Sequence, residues 1–479
     1  MARRGSPIRL PFVLFSWMVA TVHGCQCGSL VAIGRTTNIR RKEELMKLRN
    51  LGVLGAAGML ALTAAVPAFA QSPASMGTLK IGIDLPLSGG DLANGGPTRD
   101  GVLLAIQQAN AAGGVGGYTL DANVQDDAVN GVHDPNQGAT NAATLVADSA
   151  VVGMVGAFNS NVSRAIIPVT NEAGLAQCSP ANTGVDLTKE GSEAYRPANP
   201  DVRNYFRVAT PDDVQGPGLA QYAYNDLGKH KAMVVDDTEA FGVGVANTFS
   251  DEFIKLGGEV VDRQGNDYAQ NKSFVNILTA ASALGADVAF FGGTQTTGGG
   301  QYRKDMGQLG LLDIPLVGPD GTTDLAPGGT DGGFITLAGI DNAGNVFGSV
   351  AGIHDIPDPE AFAADFQAAF NAPPGAYSAL AYACTQILMQ ALDTAIAGGA
   401  TDPAAIREAV RAAVFSGQQY DTVLGPLSID ANGDSSQKFL SFYKTDTTLD
   451  DGVGGWVFDK QQDFAGEFDA PAPSGSVAP

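Results

Sequence analysis

A chain of 479 residues, 44% of them hydrophobic and 16% charged, is long enough for two fully cored lobes and too apolar for disorder. The net charge of -22 is concentrated beyond Ala70, where 19 basic residues face 48 acidic ones. A body that acidic excludes nucleic acid and anionic lipid as partners.

In chain order, the first 45 residues hold one weak apolar run, Leu10 to Val22, and read as an upstream extension outside the mature protein. From Met46 the chain reads MKLRNLGVLGAAGMLALTAAVPAFA: a basic start, a short apolar run and the small-x-small site Ala68-Phe69-Ala70. These are the three parts of a secretory signal peptide, so residues 46–70 are expected to be removed and the mature chain to be periplasmic. The residue directly after Ala70 is Gln71 and not a cysteine, so the signal peptide offers no site for lipid anchoring, which fits a freely diffusing protein. The mature cysteines, Cys178 and Cys384, can pair in an oxidising compartment, but both lie in apolar stretches and are expected to be two buried thiols.

The mature region then alternates strand and helix. Leu79, Ile81, Ile83 and Leu85 share one face of a strand; Val102, Ala105, Ile106 and Ala109 stripe a helix closed by Gly113-Gly114. Leu120 to Val124 predicts a strand, and the acidic stretch Gln125 to Asp134 a solvated turn. A helix is expected over Asn136 to Ala147, and Val151 to Val155 is apolar enough for a strand buried on both faces. The rhythm repeats with a strand at Lys231–Val235, a helix at Val245–Leu256, a helix at Phe274–Leu284 and a strand at Asp287–Phe291. Ser378 to Ala397 is a long apolar-striped helix, and Gly425 to Ile429 is strand-like. Such alternation predicts an α/β fold with parallel sheets covered by helices, in too many units for one sheet. The tail 467–479, poor in bulky apolar residues, is expected to be disordered.

Ligands of open α/β sheets sit beyond the carboxyl ends of the strands, and four such ends carry useful chemistry. Ser160 follows the buried strand just where a helix begins, so it is either a carboxylate seat or only the N-cap. Ser179-Pro180-Ala181-Asn182-Thr183 offers a backbone carbonyl, an amide and a hydroxyl. Phe241, at the start of a helix, is either a pocket wall or a core aromatic. Asp320, in Gly318-Pro319-Asp320-Gly321, suits an ammonium group, or is only a turn residue. Hydroxyls and N–H groups for an anion, a carboxylate for a cation and an aromatic wall together match a zwitterion.

Catalytic patterns are thin. The chain has no GxSxG elbow, no phosphate loop and no third glycine after Gly242 and Gly244. His133, His230 and His354 are not at metal-ligand spacing, and no metal or cofactor is expected. A hydrolase using Ser160 would need a base that the sequence does not supply.

In order along the chain, LKIGIDLPLSG, DGVLLAIQQANAAGGVGG, QDDAVNGVHDPNQGAT, GAFNSNVSRAIIPVTNEAGLAQCSPANTG, FRVATPDDVQG, DDTEAFGVGVANTF, VGPDG and DTVLGPLSIDANGD resemble the leucine/isoleucine/valine-binding family of type I periplasmic binding proteins. The resemblance covers about residues 78–445. It implies two Rossmann-like lobes joined by three crossover strands with ligand in the interlobe cleft. The first lobe is expected over 78–205 with 351–420, and the second over 211–345 with 428–466. The crossovers are expected near Phe206–Thr210, Asn345–Val350 and Asp421–Leu427.

By the same resemblance, Ser160 and Thr183 hold the ligand's carboxylate and amine, and Ala181 offers its carbonyl to the amine. Asp320 reaches across from the second lobe, one methylene shorter than the family's glutamate. Asn94, Thr294 and Gln295 stand where the family places aromatics, and Phe241 lacks the tyrosine hydroxyl. This argues for a more polar amino acid, an amide or a small carboxylate rather than leucine or valine. The implied role is a monomeric, non-enzymatic binding protein that delivers its ligand to the permease of an ABC importer; service to a chemoreceptor or receptor kinase is the alternative.

Overall fold

A computed structural model describes residues 76–468. The expected upstream extension 1–45, the expected signal peptide 46–70 and the tail from residue 469 lie outside the described residues.

Two parallel-cored sheets carry the fold. The first has five strands, in spatial order Thr119–Asp126, Thr78–Leu85, Val151–Gly156, Gln177–Ser179 and Tyr205–Arg207, all parallel. The second has seven: Gly455–Asp463, Phe439–Asp446, Val346–Val350, Leu316–Gly318, Val288–Gly292, Lys231–Asp236 and Glu259–Gly265. Five of these run parallel, and Phe439–Asp446 and Gly455–Asp463 add an antiparallel edge. Every residue of Val151–Gly156 and of Val288–Gly292 is buried, as expected of central strands covered by helices on both faces.

Local chemistry sets the helix limits. The helix Leu92–Ala111 ends where Gly113 and Gly114 take positive φ and the Gly114 N–H donates to the Ala109 carbonyl at 2.9 Å. The helix Pro135–Ala147 starts on Asp134, whose carboxylate accepts the N–H groups of Asn136 and Gln137, with Pro135 at its first turn. The long helix Ser378–Ala397 and the helix Pro403–Val414 return to the first sheet, where the Arg407 guanidinium donates to the carbonyls of Val151 and Val146.

The chain passes between the sheets three times, and the passages meet at Thr210. Its N–H donates to Ala351 at 2.9 Å, and its hydroxyl to the Phe439 carbonyl at 2.7 Å. The third passage differs from the expectation. Asp421–Leu427 lies within a two-stranded hairpin, Gln419–Thr422 with Gly425–Ser428, held to the long helix by Gln386 and Gln390. The chain crosses only after Gly433, whose carbonyl accepts the Arg207 N–H at 2.9 Å.

Two other expectations fail. Cys178 and Cys384 are a disulfide, not thiols, with Cα atoms 5.7 Å apart. The buried short strand Gln177–Ser179 and the face of the long helix bring the two together. The stretch Gln125–Asp134 is not a solvated turn. It folds into a small hairpin, Ala128–Val129 with Val132–His133, that buries Asp127 completely and His133 almost so.

Candidate functional site

The carboxyl ends of the first sheet supply one wall of an interlobe cavity. Ser160 is the first residue of the helix Ser160–Glu172, and Asn159 occupies the cap position without a side-chain bond. Ser160 is therefore not the N-cap. Its Oγ accepts the Gly184 N–H at 3.2 Å, tying the helix start to the loop that carries Thr183. N–H groups of a first turn have no acceptor within the helix and carry its positive dipole end, so this wall suits an anion. Ser179 shapes the same loop: its hydroxyl donates to Ala157 and accepts from the N–H groups of Ala181 and Asn182. Arg207, wholly buried, braces it by donating to the carbonyls of Asn182 and Gly184 and to Thr188 Oγ1, while Asp434 Oδ1 accepts from its Nε at 2.7 Å.

The second sheet supplies the facing wall. Phe241 and Glu239 stand at the start of the helix Ala240–Lys255, Thr294 follows the strand Val288–Gly292, and Asp320 follows Leu316–Gly318. A small cavity separates the walls, lined by Phe158, Ser160, Ala181 and Thr183 from one side and Phe241, Thr294 and Asp320 from the other, together with Asn161 and Glu239. Six of the nine residues singled out from the sequence thus surround one cavity.

Three stand outside its wall. Asn182 is buried with its amide used up, donating to Phe158 O at 2.7 Å and accepting from Tyr205 OH at 3.0 Å. Asn94 lies buried within the helix Leu92–Ala111. Gln295 points to a neighbouring recess beside Thr296 and Gly332, because the turn after Thr294 carries it away from the cleft.

Asp320 is the electrostatic centre. Its Oδ1 accepts from Gln215 Nε2 at 3.0 Å, and its Oδ2 from Tyr377 OH at 2.6 Å, a bond between the lobes. Burial pushes its carboxyl up to about 6 against those two donors. The same Gln215 amide donates to Asp212 Oδ1 at 3.0 Å, and burial plus the charge of Asp320 push Asp212 up to about 8. Of this pair only Asp320 lines the cavity, and its carboxylate, bonded to two neutral donors, can seat a cation. Gln215, Asp212 and Tyr377 were not anticipated: each lies far along the chain from Asp320. Glu239 was visible in the quoted stretch DDTEAF but was not singled out.

The description "Periplasmic binding protein" fits residues 78–447, more than half of the chain. The chain belongs to that family. Among its relatives, the Leu/Ile/Val-binding protein BraC3 of Rhizobium johnstonii is 30% identical over 385 residues, covering 79% of this chain and 95% of BraC3. An amino acid binding protein of Pseudomonas aeruginosa is 29% identical over 391 residues, covering 81% and 96%. The fold matches the substrate binding protein LivJ of Streptococcus pneumoniae, solved in complex with isoleucine, at a TM-score of 0.64 and 23% identity, over 80% of this chain and all of that one. A Rhodopseudomonas palustris solute binding protein solved with 4-hydroxybenzoate matches at a TM-score of 0.65 and 18% identity, over 80% and 97%. The binding protein thus has the two-lobed α/β fold of solute-binding subunits of ABC importers.

Proposed function

We propose that this binding protein closes its lobes around a small α-amino acid with a polar side chain and presents the closed form to the permease of an importer. One observation carries the reading: Asp320 faces Ser160, Ala181 and Thr183 across a single cavity, a cation seat opposite an anion seat. The ligand's carboxylate sits on the Ser160 hydroxyl and the helix N-terminus. Its ammonium sits between the Ala181 carbonyl and Asp320. Its side chain runs between Phe158 and Phe241 toward Thr294, Asn161 and Glu239, and those polar groups favour a hydrogen-bonding side chain over an aliphatic one. The protein acts as a monomer in the periplasm, the compartment to which the expected signal peptide directs it, and catalyses no reaction.

Micromolar binding corresponds to about 8 kcal/mol, left over after the costs of ordering and desolvation. Calorimetry against amino acids, their amides and small carboxylates tests the proposal. Expected is tight binding of a polar amino acid that Ser160→Ala weakens tenfold or more. Tight binding of a ligand without an amine, indifferent to Ser160→Ala, would refute it.

A further inference from the structure

His133 ends the second strand of the small hairpin, and each of its ring nitrogens faces a carboxylate on a different lobe. Nδ1 lies 2.8 Å from Asp91 Oδ2 in the first lobe, and Nε2 lies 3.0 Å from Glu239 Oε2 in the second. A carboxylate oxygen can only accept, so both contacts are hydrogen bonds only when both nitrogens carry protons. The ring is almost fully buried, so no solvent competes for either proton. Two further bonds cross between the lobes at the same place. Asn161 Nδ2 donates to Glu239 Oε2 at 3.0 Å, and the Thr296 hydroxyl donates to Asp91 Oδ1.

We infer that lobe closure in this protein takes up one proton, held on His133 between Asp91 and Glu239 as an interlobe latch. The inference rests on the closure reading above but not on the identity of the ligand. Opening withdraws Glu239 and leaves the ring with Asp91 alone and with access to water. Of the other titratable groups nearby, Asp127 stands behind the ring in the same lobe, its carboxyl pushed well above the ordinary range by burial, and Asp237 stands beside Glu239 in the other. The bonds from both carboxylates hold the imidazolium well above its ordinary 6.5 in spite of burial. A histidine raised in the closed form stabilises that form fully below its open-form value, and the effect is lost as pH rises through the closed-form value. The latch's contribution to closure is therefore lost as pH rises above the ordinary histidine range.

Several buried aspartates also titrate in this range, so the test is a ratio. An equimolar mixture of the twenty protein amino acids is titrated calorimetrically into wild type, His133→Gln and Glu239→Gln between pH 5.5 and 8.5. The wild-type to H133Q ratio of apparent association constants should fall with rising pH by up to about tenfold per pH unit, since one proton is linked. E239Q, at a more exposed position and safer for folding, should flatten the wild-type profile in the same way. A ratio independent of pH overturns the latch. If wild type binds nothing in the mixture, the amino-acid reading fails instead, and the latch is decided by the same wild-type to H133Q ratio measured with a mixture of small carboxylates and amides.

Discussion

Replacing Asp320 by asparagine should weaken the binding of α-amino acids by about 10- to 150-fold while their deaminated counterparts bind no worse. Each carboxylate oxygen already accepts one bond, from Gln215 or Tyr377, and keeps a lone pair for an ammonium. The interval between the ordinary 3.8 and about 6 corresponds to about 3 kcal/mol of penalty on the buried charge. An arriving ammonium offsets that penalty, and a bond to a charged group is worth about 1.5–3 kcal/mol, which sets the expected loss. A ligand without the amine offsets nothing, so for it the neutral variant is as good or better. The pH dependence has a definite sign. The folded chain holds the Asp320 proton more tightly than the unfolded chain, so the carboxylate costs stability progressively from pH 3.8 to about 6 and in full above. D320N should therefore melt higher than wild type at pH 7.5, with the gap closing toward pH 4. Calorimetry with one amino acid and its deaminated acid, plus thermal melts at both pH values, measures all of this. Equal weakening of both ligands, or no weakening of the amino acid, would refute the assignment of the amine to Asp320.

The disulfide closes a 206-residue loop, for which chain entropy gives about 5 kcal/mol as an upper figure. For a folded region of this size, reduction or the Cys178→Ala/Cys384→Ala pair should lower the melting temperature by about 3–6 °C, and an unchanged melt would show the bridge to be idle. Asp434 lies buried against Arg207; burial pushes its carboxyl up, but the guanidinium charge and bond bring it down to about 2. Its contribution is present above 3.8 and lost as pH falls toward 2, and Asp434→Asn at neutral pH should cost about 3–5 kcal/mol, read by denaturant unfolding. A Cβ on Gly242 would lie 2.4 Å from the Gly292 carbonyl oxygen, so Gly242→Ala should destabilise by about 1–3 kcal/mol in the same assay.

What was legible in the sequence is what local pattern carries. Alternation in Leu79 to Leu85 and the apolar run at Val151 fixed central strands, and the residues just past strand ends, Ser160, Thr183, Phe241 and Asp320, converge because strand ends converge. Partners set by tertiary placement were not legible. Tyr377 precedes a helix of the first lobe and Gln215 begins a helix beside the crossovers, and neither spacing nor residue type announces that both bond to Asp320. Cys178 and Cys384 read as thiols because apolar flanks describe burial, which paired and free cysteines share. Gln125–Asp134 read as solvated because its composition is acidic, whereas the fold covers Asp127 with the hairpin and turns His133 to the cleft. Asn94 and Gln295 were placed by analogy of position, and a single turn of backbone suffices to direct a side chain elsewhere.

The contacts between the lobes explain why a ligand can govern closure. Around the cavity the named links are polar: Tyr377 to Asp320, His133 and Asn161 to Glu239, and Thr296 to Asp91. Each of these groups can exchange its partner for water when the lobes part, so each neutral bond contributes only about 0.5–1.5 kcal/mol to closure, and the charged ones somewhat more. An apolar seam of the same extent would favour the closed form with or without ligand. A polar seam leaves the two forms close enough in free energy for a ligand that touches both walls to shift the balance by its differential affinity. The buried charge of Asp320 strengthens the effect, because the closed form without a cation carries an uncompensated carboxylate that the open form exposes to water. On the proposed reading, closure is favoured most by a ligand whose amine reaches Asp320 while its carboxylate rests on Ser160, so the contacts that select the ligand are the ones that report its presence to a partner.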